Sequence, residues 1–236
     1  ANFFTIENNN ALQEISGFQG LSTIGRDIRI RNNGQLQTIS GLNNLFNIGV
    51  DLLLTNLATI NNIDGLSNLS TIGGSINCSN NANLLKFELS GLFSVAGNVT
   101  IAQNEKLQEC SFPELSDIDN RLLINANAAL LRIKFPELVE VGSTSTSFDF
   151  RSSLNIQNNT ALKTLDGFNK LGSIANFFTV ENNENLMNLS GFQNLVNIGQ
   201  DLRVRNNPAL VNCCGLKKVL NEGSVGASIL ITDNPS

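Results

Sequence analysis

The side chains of this 236-residue chain with the chemistry for catalysis or metal binding are its 20 acidic residues and four cysteines, and their spacing serves neither. With no histidine anywhere, a serine or cysteine nucleophile has no imidazole base, and a mixed cysteine–histidine zinc site has no nitrogen ligand. Cys78, Cys110, Cys213 and Cys214 follow no metal-ligand or disulfide-framework spacing. Cys78 and Cys110 stand where aliphatic residues stand elsewhere, so they read as free core thiols. Gly73 and Gly74 are followed by no Lys-Ser/Thr step, so they do not form a phosphate-cradling loop. Asp27 and Asp51 are the nearest approach to a carboxylate pair. They occupy equivalent positions in adjacent repeats, about 5 Å apart if neighbouring strands pair. A calcium ion could bridge that gap, but solvated turn residues are the simpler reading. The expectation is a protein that is not an enzyme and holds no cofactor or metal.

Composition excludes further partners. A net charge of −5 and a pI near 4.8 give no clustered lysine and arginine for phosphate contacts, so nucleic acid is set aside. No apolar run approaches the roughly 20 residues that span a bilayer, so direct membrane insertion is not expected. Ala1 to Phe4 lacks the basic and apolar regions of a signal peptide, which places any export signal outside this stretch. Only 15% of residues are charged, against about a quarter in ordinary globular domains. Such a polar but neutral surface points to an extracellular or cell-surface location.

What the chain does show is self-similarity. The clearest copy is Ile28-x-Ile30-x-Asn32-Asn33-x-x-Leu36-x-x-Ile39-x-Gly41-Leu42-x-x-Leu45-x-x-Ile48-Gly49. About ten such coils of 23 to 24 residues cover residues 1–236 as a single domain, the three shorter ones beginning at Ile76, Val99 and Leu122. One irregularity, the Ser143 to Ser153 stretch, is the candidate protruding loop. Asn2 to Gly25 and Asn176 to Gly199 are identical at 15 of 24 positions, which marks an internal duplication. The pattern begins and ends without distinct capping coils, so a fragment of a longer array is expected, with exposed strand edges that could support end-to-end self-association.

Each copy opens on an alternating apolar-x-apolar stretch too short for a helix, which predicts a strand with one face buried. One coil cannot enclose its own apolar groups. The coils must therefore stack at about 4.8 Å, strand on equivalent strand, into a right-handed parallel β-helix, an all-β repeat solenoid roughly 45 to 50 Å long. The second half of each copy predicts short strands and turns, with single 3₁₀ turns, and glycines at the corner where the chain re-enters the strand. The second asparagine of each pair gives a column of Asn9, Asn33, Asn81, Asn104, Asn127, Asn159, Asn183 and Asn207, broken by Leu57. A side-chain amide both donates and accepts, so this column can satisfy backbone groups of its own and neighbouring coils. The first asparagine column lapses at Gln103 and Ala126 and is expected to be less buried.

Asn33 three residues after Ile30, with Leu36 beyond, resembles the asparagine-ladder core of leucine-rich repeats. The join Leu45-x-x-Ile48-Gly49-x-Asp51-Leu52-x-Leu54 is similar to the signature of receptor L-domains, the β-helical ligand-binding domains of insulin and epidermal growth factor receptors, and of related surface proteins. That resemblance implies a secreted or surface-displayed recognition solenoid whose flat parallel sheet is the contact face.

The outward residues of the first strand read as two columns, from which Glu7, Arg29, Arg31, Leu53, Leu123, Glu181, Arg203 and Arg205 are the candidate partner-binding face. Glu7 opposite Arg31 and Glu181 opposite Arg205 should pair across adjacent strands. Leu, Arg and Asn interrupt every Thr in these columns, so no regular ice-binding lattice is presented. Asn-x-Ser/Thr triplets begin at Asn68, Asn77, Asn98, Asn158 and Asn188, a frequency that asparagine-rich composition produces by chance. The leading expectation is a non-catalytic recognition or adhesion module for a protein or glycan. The alternative is a structural spacer in a long cell-surface repeat protein.

Overall fold

The computed structural model describes residues 1–142 and 153–235. The protruding loop expected at Ser143 to Ser153 lies outside the described residues except for Ser153 itself. Among the described residues, a ten-stranded parallel sheet runs the length of the molecule, from Phe4–Glu7 through Ile28–Arg31 and Leu52–Thr55 to Leu202–Arg205 and Ile229–Thr232. Each strand pairs with the equivalent strand of the next coil, as in Phe4 with Ile28 and Ile28 with Leu52. A nine-stranded sheet of two-residue strands, such as Asn47–Ile48, lines a second side. The protein is a parallel β-solenoid of about nine turns, as the period predicts.

Alternation along the long strands sends Ile28, Ile30, Leu52 and Leu54 inward, where they are buried. Five fully buried phenylalanines, Phe87, Phe112, Phe135, Phe168 and Phe192, stack down successive coils with centroids 4.9 to 5.6 Å apart. Such spacing suits offset aromatic contact.

The third side of the coil varies. In three of the 24-residue coils the segment after the turn closes as a 3₁₀ turn, at Ser40–Leu42, Asp64–Leu66 and Ser190–Phe192, while those beginning at Phe4 and Leu154 carry no such turn. Gly41 sits there because a Cβ would lie 2.7 Å from the backbone of Ser16 in the coil beneath. In the coils beginning at Ile76, Val99 and Leu122, which have one residue fewer before the second apolar cluster, that turn is absent. The chain instead extends as Lys86–Glu88, Glu109–Ser111 and Arg132–Lys134, which pair into a third, three-stranded parallel sheet. The coil after Leu202 takes 27 residues to reach Ile229 and uses the excess in a five-residue helix, Lys217–Asn221. The corner glycine Gly49 has the same cause as Gly41: the Gly25 carbonyl oxygen would stand 2.1 Å from its Cβ.

The two asparagine columns do different work. The second column is the ladder. The Asn104 backbone N–H donates to Asn127 Oδ1 at 3.1 Å, while Asn127 Nδ2 donates to the Ile101 carbonyl of the preceding coil at 3.0 Å. The same pattern runs through Asn81, Asn159, Asn183 and Asn207, all buried. Asn9 is exposed and its N–H donates to Asn33 Oδ1 at 2.9 Å. Leu57 passes its own N–H to Asn81 Oδ1 at 3.0 Å but has no amide for its neighbours.

The first column is a backbone requirement. Asn8, Asn32, Asn56, Asn80, Asn158, Asn182 and Asn206 have φ between 55° and 60°, as do Gln103, Ala126 and Asp233 at the same place in their coils. Asparagine tolerates this left-handed conformation because its short side chain bonds locally, whereas a Cβ of alanine costs about 1–2 kcal/mol there. Asn32 Nδ2 also donates to Asn8 Oδ1 at 2.9 Å, and Asn56 to Asn32 at 2.7 Å, in an exposed secondary ladder. Ala126 makes no such bond, so Ala126→Gly should raise stability. Equilibrium urea unfolding is expected to show a gain of about 1 kcal/mol, the reverse of the usual Ala→Gly effect.

Candidate functional site

The register of the long sheet brings the expected face residues into two groups. In the first, Arg29 lies between Thr5 and Leu53, and Arg31 between Glu7 and Thr55. In the second, Arg203 lies beside Thr179, and Arg205 beside Glu181. Leu123 joins neither, since its neighbours are Thr100 and Asn155 in the uncharged middle. Seven strand steps in sheet order separate Arg29 from Arg203, which at roughly 4.8 Å per step is about 34 Å along the stack.

The expected cross-strand ion pairs form. Arg31 donates to Glu7 Oε1 from Nε at 2.9 Å and from a terminal nitrogen at 2.7 Å, and Arg205 does the same to Glu181 Oε1 at 2.8 and 2.6 Å. Each group contains a further pair: Arg29 with Asp27 and Arg203 with Asp201, both at 2.6 Å. Residues two apart on a strand share a face, and that spacing is the sequence signal for these pairs. Hydrogen bonds from the Ser228 N–H and from Arg203 hold the Asp201 carboxyl below its usual range. Asp27 and Asp51 accept equivalent backbone bonds. Asp27 Oδ1 accepts from the Asp51 N–H at 3.3 Å and Asp51 Oδ1 from the Ser75 N–H at 2.6 Å, so these carboxylates cap backbone at the corner entering the strand. Among the described residues no group of three or more metal-capable side chains gathers.

Two features emerge only from the folded coils. On the three-stranded sheet, Glu109 stands among Lys86, Arg132 and Lys134 at 3.9, 3.6 and 3.1 Å, and Lys86 also pairs with Glu88 at 2.5 Å. The hydrogen bond to Glu88 raises the Lys86 pKa, burial opposes it, and the charges of Glu88 and Glu109 add smaller upward effects. Beside the second arginine group, Asn155, Gln157, Phe177, Thr179, Glu181 and Arg203 line an open cavity of about 240 Å³. The Arg203 guanidinium carbon lies 5.4 Å from the centre of the Phe177 ring, and Arg203 Nε is buried with no hydrogen-bond partner among the described residues.

Cys78 and Cys110 are free and buried, as their core positions predict. Burial pushes the Cys78 thiol up to about 12, with an opposing contribution from the Asn81 amide, and raises Cys110 as well. Cys213 is half-buried and its thiol is also raised by burial, while Cys214 is exposed.

The stacked coils, parallel sheets and asparagine ladder define the class, a parallel β-solenoid of repeated coils. No protein-family model matches the chain, and no curated protein matches it.

The thiol environments predict an order of reaction. Iodoacetamide at pH 8, followed by mass spectrometry, should modify Cys214 first and Cys213 more slowly, with Cys78 and Cys110 reacting only after denaturant is added. An unfolded Cys78 thiol ionises near 9.0 and the folded one near 12, so its contribution to stability is complete below pH 9 and is lost as pH rises towards 12.

Proposed function

We propose that the chain is a non-catalytic recognition or adhesion module that contacts a protein or glycan through the outward face of its long sheet, and that it works outside the cell. The observation that carries this reading is the duplicated constellation on that face. Asp27, Arg29, Arg31 and Glu7 recur as Asp201, Arg203, Arg205 and Glu181 with the same ion pairs. Mutually paired, half-exposed charges on a rigid sheet are held in one geometry before any partner arrives, which lowers the ordering cost of binding. The resemblance to receptor L-domains supports the same use of the sheet. A surface with 15% charged residues supports an extracellular setting.

A second reading, a spacer that only sets distance, is favoured by the constancy of the strand register from coil to coil. The two separate on replacement of the four arginines. The arginine ends of these pairs are exposed although Asp27 is buried, so Arg29→Ser, Arg31→Ser, Arg203→Ser and Arg205→Ser together should cost a few kcal/mol of stability at most and leave the far-ultraviolet circular dichroism spectrum unchanged. The recognition reading expects attachment of the fluorescently labelled variant to a cell monolayer to fall at least about tenfold, a difference of about 1.4 kcal/mol in binding. Attachment that survives the four substitutions and disappears when coils are deleted would establish the spacer.

A further inference from the structure

At the corner where each coil enters the nine-stranded sheet, one column of residues has a period of two coils rather than one. Backbone bonds from coil to coil align it: the Ser70 N–H donates to the Phe46 carbonyl at 2.9 Å, the Phe93 N–H to Ser70 at 3.0 Å, and the Ser116 N–H to Phe93 at 3.0 Å. The column continues through Val139 and Gly172 to Val196, with bonds of 2.8, 2.8 and 2.9 Å. Large apolar and small residues alternate along it. The four large side chains, Phe46, Phe93, Val139 and Val196, are 38% to 59% exposed, and each has a coil above and below it. Single exposed apolar residues are ordinary, but four at every second coil, about 9.6 Å apart, make a ridge about 29 Å long. We propose that this ridge is a docking surface for a basic protein segment, which lies along the solenoid axis and sets apolar side chains into the gaps over Ser70, Ser116 and Gly172.

Charge selects the partner. In its two central coils the ridge runs between two rows of acids. Glu114 and Glu137 stand two residues before Ser116 and Val139, in turns that begin at Phe112 and Phe135, whose rings stack 4.9 Å apart. Asp117 and Glu140 stand one residue after, directly opposite each other in the register of the nine-stranded sheet and so about 4.8 Å apart. None of the four is buried. Glu137 pairs with Lys170, and the Asp117 carboxylate accepts from the Ser116 hydroxyl. Among the described residues Glu114, Asp117 and Glu140 form no ion pair. Like charges directly opposite on neighbouring strands repel, and a cationic partner relieves that repulsion. A second copy docked ridge to ridge would set acid against acid, and a nucleic acid or an anionic membrane would be repelled in the same way.

Spacing limits the backbone that can use the ridge. An extended strand repeats one face at about 6.6 or 13.2 Å, which misses the gaps. A polyproline II segment repeats its face every third residue, at about 9.3 Å, and a helix laid along the axis every seventh, at about 10.5 Å. Both match the two-coil step to within about 1 Å and leave the intervening positions for lysine or arginine facing the acids. Apolar anchors inside a charged rim are the ordinary anatomy of a protein interface. The ridge lies outside the long sheet, so it adds a second contact surface and does not depend on the recognition reading of that sheet.

The test is fluorescence anisotropy of labelled peptides with the full chain, at about 20 mM and about 300 mM sodium chloride. The probes are a repeating Leu-Lys-Pro peptide and a lysine- and alanine-rich helix with leucine at every seventh position. Each is matched by a version with its residues in scrambled order and by one with glutamate in place of lysine. At least one ordered basic probe should bind saturably in the micromolar range at the lower salt, and at least about tenfold more weakly at the higher. Phe93→Ser with Val139→Ser should lower the affinity at least about tenfold. Glu114→Gln, Asp117→Asn, Glu137→Gln and Glu140→Gln together should do the same and remove most of the salt dependence, whereas Arg29→Ser on the long sheet should change nothing. All these positions but Asp117, Glu137 and Glu140 are exposed and those three are half-buried, or, for Arg29, at the strand surface, and circular dichroism checks that each variant folds. Failure of both ordered basic probes to bind, equal binding of the scrambled or the acidic peptides, or binding indifferent to both sets of ridge substitutions would each overturn the proposal. Attachment through the long sheet is read separately by the four arginine substitutions, so the failure of one surface is distinguishable from the failure of the other.

Discussion

A buried side-chain amide that bridges two coils is the interaction on which the rest of this solenoid depends. Parallel pairing satisfies the backbone along the three sheets, but the chain must leave the long sheet at a turn, where its N–H and carbonyl groups point into the stack. Buried backbone polar groups are almost always paired. Here Asn81, Asn104, Asn127, Asn159, Asn183 and Asn207 meet that need by accepting from an N–H and donating to a carbonyl of the preceding coil. The turn can therefore sit against the core, and the left-handed residue before each ladder position provides the bend that puts the amide there. Nearest-neighbour coupling of this kind makes stability a sum over coils and their interfaces.

Once coil height and turn position are set, the opposite side has freedom. Three of the 24-residue coils close with a 3₁₀ turn packed on glycine, and the coils from Ile76, Val99 and Leu122 close with an extended segment, yet both return to the same register in the nine-stranded sheet. The phenylalanine stack runs through both kinds of coil, so the core is continuous where the surface changes. That change of surface concentrates Lys86, Glu109, Arg132 and Lys134 in the central coils of an otherwise sparsely charged protein.

Most of the fold was legible because a repeat states its rule many times. The Ile28-x-Ile30 alternation predicts the long sheet, and the Asn33 column predicts the ladder. The pairs of Glu7 with Arg31 and Glu181 with Arg205 follow from the period alone. The left-handed bend at Asn8, Asn32 and their equivalents was not legible as such, since an asparagine suits a hydrogen-bonding role and a strained φ equally, and the lapse at Ala126 hides the requirement. The three-stranded sheet was missed because one deleted residue changes a turn into a strand, an outcome settled by the coil below it rather than by local propensity. The cavity at Arg203 was out of reach for a related reason, since packing alone brings Phe177 beside Arg203.

The face and the ladder are linked. Residues facing out from the long sheet hold their spacing because the residues facing in, and the amides at the turn, fix each coil relative to the next. Comparison of Asn127→Ala with Asn9→Ala by equilibrium denaturation tests that dependence most directly. Asn127→Ala orphans the Asn104 N–H and the Ile101 carbonyl in the interior and is predicted to cost about 2–5 kcal/mol. Asn9→Ala, at an exposed position, is predicted to cost under about 1 kcal/mol. Equal, small losses for both would contradict the account and assign the stack to its apolar core alone.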